Sequence, residues 1–228
     1  MNLSFPPFRG PLAPRGEETR KRILDAAVEV FAGEGYAAAH TRLLAERAGV
    51  KLPTLAYYFG SKEGLFRAVI ERIAAQFESK MAPVANKVRA VLDQGEVSRE
   101  TLLELLCELL DAFIATMLSS DHPESWRQII ARAESENQAA LEPLSACIRG
   151  LGAGTCQMVI ARLVDDGDDK EMSWMRTVAI LGQIHIFTKV QVRCGLNWDN
   201  FTAERVQAVQ HLVRDNVHAI FGERSKQQ

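Results

Sequence analysis

Apolar residues recur every three or four positions along most of the chain, the spacing of helices that bury one face. Ile23, Leu24, Ala27, Val30 and Phe31 share a face of a helix predicted over 17–33. Leu65, Phe66, Val69, Ile70, Ile73 and Phe77 form a second stripe, on a helix that Ser61 caps. Further helices are predicted near 84–92, 98–119, 123–137, 140–164, 170–194 and 202–221. Pro83, Gly95, Pro123, Pro143, "DDGDD" at 165–169 and "CGLNWDN" at 194–200 are the expected breaks. No strand-like alternation of useful length and no internal repeat appears, so the predicted class is all-α. No stretch reaches the roughly 18 uninterrupted apolar residues of a membrane span, so none is expected.

Between the first two long helices lie two short ones. Thr41 offers an N-cap oxygen for a helix over 42–48. Gly49 suits the left-handed turn that stops it. Pro53 sits in the first turn of a second short helix, 52–58, where a missing N–H costs nothing. Gly60 ends that helix. Ala45 supplies a small residue at the crossing, with Val50 and Leu55 as apolar plugs. Two short helices on a tight glycine turn, braced by longer ones, predict a helix-turn-helix.

Charge changes this picture slightly. Residues 1–62 hold nine Lys/Arg against six Asp/Glu, while the remainder holds eighteen against twenty-three. A basic end on an acidic body suits an N-terminal part that meets a polyanion. The Pro/Gly-rich residues 1–16 read as a disordered arm with no apolar core of a secretory signal. Arg9, Arg15 and Arg20 are candidates to reach a phosphate or a minor groove, the alternative being a solvated tail. Cys107, Cys147, Cys156 and Cys194 lie far apart in apolar helical contexts, without zinc-type spacing, and read as small core residues rather than reactive thiols. A cytosolic protein with reduced thiols is expected.

Candidate chemistry elsewhere is sparse. "RGLGAGTC" at 149–156 fits no phosphate-loop pattern and predicts close helix packing or a kink. His122, His185, His211 and His218 are scattered, and Asp165, Asp166, Asp168 and Asp169 lack the spaced glutamate of a calcium loop. Without a nucleophile–base pair, metal set or cofactor loop, the sequence does not support an enzyme, and no cofactor is expected.

The run "TRLLAERAGVKLPTLAYYFGSKEGLF", with its "AGV", "TL" pair, aromatic cluster ending in Phe and "SKE-L", resembles the N-terminal domain of the TetR family of bacterial transcriptional regulators. "ILGQIHIF", "CGLNW" and "VHAIFGE" are similar to the CecR-type subgroup of that family. The resemblance implies a homodimeric, all-helical repressor in the bacterial cytoplasm. Residues 17–77 would form a three-helix DNA-binding domain, with the helix-turn-helix at about 40–59. Residues 78–222 would form a larger effector-binding and dimerisation domain, followed by a tail at 223–228. Ala56 departs from the pattern, since many members carry Tyr there, and no contact is transferred to it.

The DNA-contact candidates are Thr41, Arg42, Lys51, Leu52, Pro53, Thr54, Tyr57, Tyr58 and Lys62. Recognition helices read base edges with their N-terminal residues, which places Thr54 at a base or phosphate and Leu52 and Pro53 at a thymine methyl. Lys51 adds a cation at the turn. Thr41 and Lys62 resemble the family's phosphate clamps. Phe59 is expected inside, Tyr57 on the DNA side and Tyr58 partly buried, the alternative being three core rings. Phe113, Met117, Trp126, Met158 and Trp174 are candidate walls of an effector pocket, with Arg132 and His185 as polar anchors. The last two helices carry Ile180, Ile184, Phe187 and Val190, and Val206, Val209, Val213, Val217 and Ile220; these form the expected dimer interface or, alternatively, monomer core. The leading expectation is a repressor released from a palindromic operator by a small molecule. The alternative is a constitutive dimeric DNA-binding protein with no effector.

Overall fold

The computed structural model describes residues 13–118, 124–164, 169–188 and 201–222, and all their regular structure is helical. Among the described residues ten α-helices run in order: α1 Pro14–Ala38, α2 Thr41–Arg47, α3 Leu52–Phe59, α4 Lys62–Leu92, α5 Arg99–Leu118, α6 Glu124–Glu136, α7 Glu142–Cys147, α8 Gly154–Val164, α9 Lys170–Thr188 and α10 Ala203–Phe221. A 3-10 turn, Gln138–Leu141, precedes α7, and a π-helical stretch, Ile148–Ala153, joins α7 to α8. Cys194, His122, Val190 and the "CGLNWDN" segment lie outside the described residues, as do Arg9 and the aspartates 165, 166 and 168.

Two places depart from the expected breaks. The first helix begins at Pro14, inside the predicted arm, and runs past Gly33 to Ala38, with its single non-helical residue at Gly35 (φ 79°, ψ 169°). Pro83 does not divide α4. A mid-helix proline forfeits one backbone bond, but Met81, Ala85 and Val88 on either side of it are fully buried, and that burial holds the helix together.

The chain forms two compact units. The first takes residues 1–75 and 123–145, so α6 groups with the N-terminal helices and not with the segment 78–222. The cause is local: α6 packs along α1 and buries Trp126, Ile129 and Ala133, a helical stripe. The core of this unit is Ile23, Leu24, Ala27 and Phe31 of α1, Leu44, Leu55, Phe59, and Leu65, Phe66, Val69 and Ile70 of α4. Phe31 and Phe66 meet edge to face at 4.9 Å.

The second unit takes residues 76–122 and 146–228. Its centre is α5, where Leu102, Leu103, Leu105, Leu106, Cys107, Leu109, Leu110, Phe113 and Ile114 are all buried. This helix packs against α8 and α10, and α8 packs against α9. Arg99 ties the ends together, donating to the Leu163 carbonyl at 2.8 Å and to the Phe221 carbonyl. Arg214 pairs with Asp111 across α10 and α5. Gly150 and Gly152 fall in the wide π-helical turn, and Gly154 opens α8. A Cβ at Gly152 would stand 3.1 Å from the Phe113 ring, which is the close packing expected there. Arg89 donates to the Gly150 carbonyl at 2.7 Å, a carbonyl in the widened turn.

The stripes expected at a dimer interface are mostly core. Ile180, Ile184, Val209, Val213 and Val217 are buried within the second unit, and Phe187 and Val206 are half-buried. They cover the central α5 and α8, which need an apolar lid from a single chain. Of the expected stripe Ile220 is exposed on α10, and beside it the exposed apolar residues include Trp174, Met175, Val178 and Ile186 on α9 and Leu212 on α10.

Candidate nucleic-acid interface

The turn between α2 and α3 is closed by main-chain bonds. Ala48 N–H donates to the Leu44 carbonyl at 3.1 Å, Gly49 to Glu46 at 3.0 Å and Val50 to Ala45 at 3.0 Å. Gly49 takes the left-handed conformation, φ 61°. One expectation is corrected: the N-cap of α2 is His40, not Thr41, which is the first helical residue. The chain reaches helical geometry one residue early because the extended residue, φ −82° and ψ 145°, is His40. Thr41 is half-buried and Arg42 exposed.

The α3 helix starts from extended Lys51, and Pro53 lies in its first turn. Leu55 and Phe59, four apart, turn inward at 2% and 4% exposure. At about 100° per residue, Pro53 and Tyr57 then point away from that face. Tyr57 is 50% exposed and Leu52 43%; Lys51 and Pro53 are also exposed, and Thr54 and Ala56 are half-buried. The three rings are therefore divided as expected, with Tyr58 half-buried between them. Tyr58 lies edge-on to Tyr57 at 5.2 Å, and Arg20 sits 5.4 Å over the Phe59 ring.

The junction from α3 to α4 is tight. Gly60 (φ 73°) ends α3, and Ser61 Oγ accepts from Gly64 N–H at 3.1 Å, the cap expected of Ser61. A Cβ at Gly64 would fall 2.1 Å from the Phe59 carbonyl oxygen, so no larger residue fits without moving backbone.

Lys62 does more here than hold a surface charge. Its Nζ donates to the carbonyls of Tyr36 at 2.9 Å and Ala37 at 3.4 Å, and it lies 4.5 Å from the Tyr36 ring centre. A cation on the last carbonyls of a helix satisfies groups that otherwise lack donors. Tyr36 Oη donates to Glu63 at 2.8 Å. Burial, with the Glu63 carboxylate beside it, pushes the Tyr36 phenol up to about 12. Glu63 is held below the usual carboxylate range by its own backbone N–H first, then by the Tyr36 and Ser61 hydroxyls.

The remaining partner of this cluster comes from α6. Glu136 Oε2 accepts from the N–H groups of Tyr36 at 3.1 Å and Ala37 at 3.4 Å, just past the Gly35 break. Arg132 Nη1 flanks the same glycine, 3.0 Å from where its Cβ would stand. Sequence reading named Lys62 but not Tyr36, Glu63 or Glu136. Tyr36 and Glu136 are a hundred residues apart, and no local pattern links them.

The expected pocket residues do not gather in one unit. Trp126 and Arg132 belong to the first. In the second, Phe113 is buried against Phe77 at 5.9 Å and Met117 is half-buried. Met158, Trp174 and His185 are exposed on α8 and α9. A surface cavity of about 530 Å³ is lined by Gly95, Glu96, Val97, Leu102 and Arg162, none of which was expected at a pocket. Among the described residues no three His, Cys, Asp or Glu side chains cluster to hold a metal. The 138–164 segment is long and apolar enough to cross a membrane, with mean hydropathy 1.2, yet it holds the buried core positions Leu141, Leu144, Cys156, Val159 and Ile160.

Comparison with known proteins agrees with this geometry. Residues 23–69 match the family model for bacterial regulatory proteins of the tetR family. Residues 102–223 match the model for the C-terminal domain of the HTH-type transcriptional dual regulator CecR. CecR of Shigella flexneri is 26% identical over 209 residues, covering 90% of this chain and 92% of that protein. A TetR-like transcriptional regulator from Rhodococcus sp. RHA1 shares the fold at a TM-score of 0.60 and 23% identity, over 94% of this chain and 100% of that one. The transcriptional regulator FadR from Bacillus subtilis, solved in complex with stearoyl-CoA, shares it at a TM-score of 0.56 and 17% identity, over 86% and 96%.

Proposed function

Because the chain belongs to the TetR family of bacterial transcriptional regulators, we infer that it is a ligand-responsive, sequence-specific DNA-binding regulator that represses transcription from a palindromic operator. The observation that carries this reading is the outward face of α3. Leu52, Pro53 and Tyr57 are exposed, while Leu55 and Phe59 are locked into the core beneath them. A rigid helix with a free N-terminal turn is what entry into a major groove requires. Thr41 and Arg42 on α2 meet the phosphate backbone. Lys51, Leu52, Pro53, Thr54 and Tyr57 face the groove, and the Tyr58 hydroxyl lies at its edge. Lys62 holds the end of α1 against α4 and brings its charge to the same flank.

The working form is a homodimer through α9 and α10. Trp174, Met175, Val178 and Ile186 recur at helical spacing on an outward face of α9, and Leu212 and Ile220 do so on α10. Helices apolar on both faces call for a partner on each. A two-fold pair would set two α3 helices about one DNA turn, roughly 34–36 Å, apart. The effector is a small molecule bound among the middle helices, where the buried Phe113 and half-buried Met117 are the candidate contacts of the second unit. It acts by favouring a dimer whose reading helices are wrongly spaced. The protein works in the bacterial cytoplasm.

The test is a mobility shift at fixed salt, using a duplex selected by the protein from a randomised pool. Tyr57→Phe and Arg42→Ala are expected to weaken binding several-fold with unfolding unchanged. Unaltered affinity in both variants would refute the interface. Acyl-CoA compounds are the first effectors to try, since FadR was solved with one. Release of the duplex by none of a broad small-molecule panel would favour the constitutive alternative.

A further inference from the structure

The reading helix has a narrow inventory of side chains. From Lys51 to Phe59 it contains no Arg, Asn, Gln, Asp or Glu. Those, with Lys, are the side chains that distinguish guanine, adenine and cytosine edges by hydrogen bonds, so only Lys51 remains to do so here, and it stands before the first helical residue as the N-cap. Its remaining polar groups are the single hydroxyls of Thr54, Tyr57 and Tyr58. The exposed guanidinium groups, Arg42 and Arg47, sit on α2, the helix that crosses the backbone in this motif. What α3 presents in its first turn is apolar. Leu52 is 43% exposed, Pro53 is exposed beside it, and the half-buried Ala56 leaves a shallow place one turn further on. Leu55 and Phe59 fill the core beneath this turn, and Leu52 leaves 43% of its surface open beside Pro53.

Only one base carries a methyl group into the major groove, and it is the chemistry such a surface recognises. We propose that Leu52, with Pro53 and Ala56, makes this protein a reader of thymine 5-methyl groups, so that operator specificity rests on methyl contacts more than on hydrogen bonds to base edges. Leu52 is the specificity-determining residue of the set because it extends furthest from the helix. The inference rests on the DNA-binding reading given above.

The full-length protein is used to select a duplex from a randomised pool. Each thymine of that duplex is then replaced by deoxyuridine, which removes the methyl and leaves the pairing edge intact. Burying one methyl corresponds to about fourfold in affinity, so that loss is expected at each thymine facing α3, and about its square when both half-sites are changed. Leu52→Ala, at an exposed position that does not threaten folding, is expected to bind the thymine and deoxyuridine duplexes equally at one position per half-site. An enriched duplex that binds wild-type protein equally with and without its methyls overturns this inference alone. So does a Leu52→Ala variant that keeps full methyl sensitivity at every position. Failure to enrich any duplex overturns the DNA-binding reading itself and this inference with it.

Discussion

Glu136 offers the sharpest check on how the reading head is held. Its carboxylate accepts from two backbone N–H groups, Tyr36 at 3.1 Å and Ala37 at 3.4 Å, where the chain leaves α1 past Gly35. Those amides lie past the Gly35 break, outside the regular helical ladder. A hydrogen bond to a charged group contributes about 1.5–3 kcal/mol when well formed and shielded. Glu136 is exposed and its second contact is long, so the pair together is worth about 1–2 kcal/mol. Glu136→Ala is therefore expected to lower the unfolding midpoint by about 2–8 °C for a chain of this length. Glu136→Gln keeps one acceptor oxygen and loses the charge, so about half the effect is expected. Hydrogen exchange gives the local readout: the Tyr36 and Ala37 amides should exchange faster in Glu136→Ala, while amides inside α3 should not. The same variant should weaken operator binding, because the α1 end also supplies the carbonyls that Lys62 holds. Unchanged exchange at Tyr36 and Ala37, together with wild-type stability in Glu136→Ala, would refute the reasoning.

The Tyr36 phenol is raised from its ordinary value of about 10 to about 12, so the folded protein holds that proton more tightly than the unfolded chain. Its contribution is complete below about pH 10 and is lost as pH rises through about 12; Tyr36→Phe should remove this dependence, and alkaline unfolding curves that coincide for the two proteins would contradict it. On the outer face of α9, Val178 is 63% exposed and central to the apolar stripe. Val178→Glu should shift the dimer towards monomer in sedimentation and weaken operator binding without lowering monomer stability, and a dimer that persists at micromolar concentration would place the interface elsewhere.

Much of this molecule was legible in its sequence. Helical periodicity marked the stripes on α1 and α4, the glycine at 49 marked the turn, and Pro53 marked the start of the reading helix. These are local rules, in which each residue's conformational preference acts on its near neighbours. The division of Tyr57, Tyr58 and Phe59 was legible for the same reason, since helical spacing alone turns the first out and the last in.

The chain by itself thus determined its helical class, its helix-turn-helix and which face of α3 turns outward. Tertiary structure decided which of two apolar faces on α9 and α10 is core, that α6 stands with the first unit, and that Lys62 and Glu136 close opposite sides of the α1 end. An apolar stripe says that a face will be buried, but its partner is set by packing among helices far apart in sequence. A carboxylate on α6 carries no mark of the two amides a hundred residues away that it satisfies. Those amides need an acceptor only once α1 breaks at Gly35, and folding brings Glu136 to them.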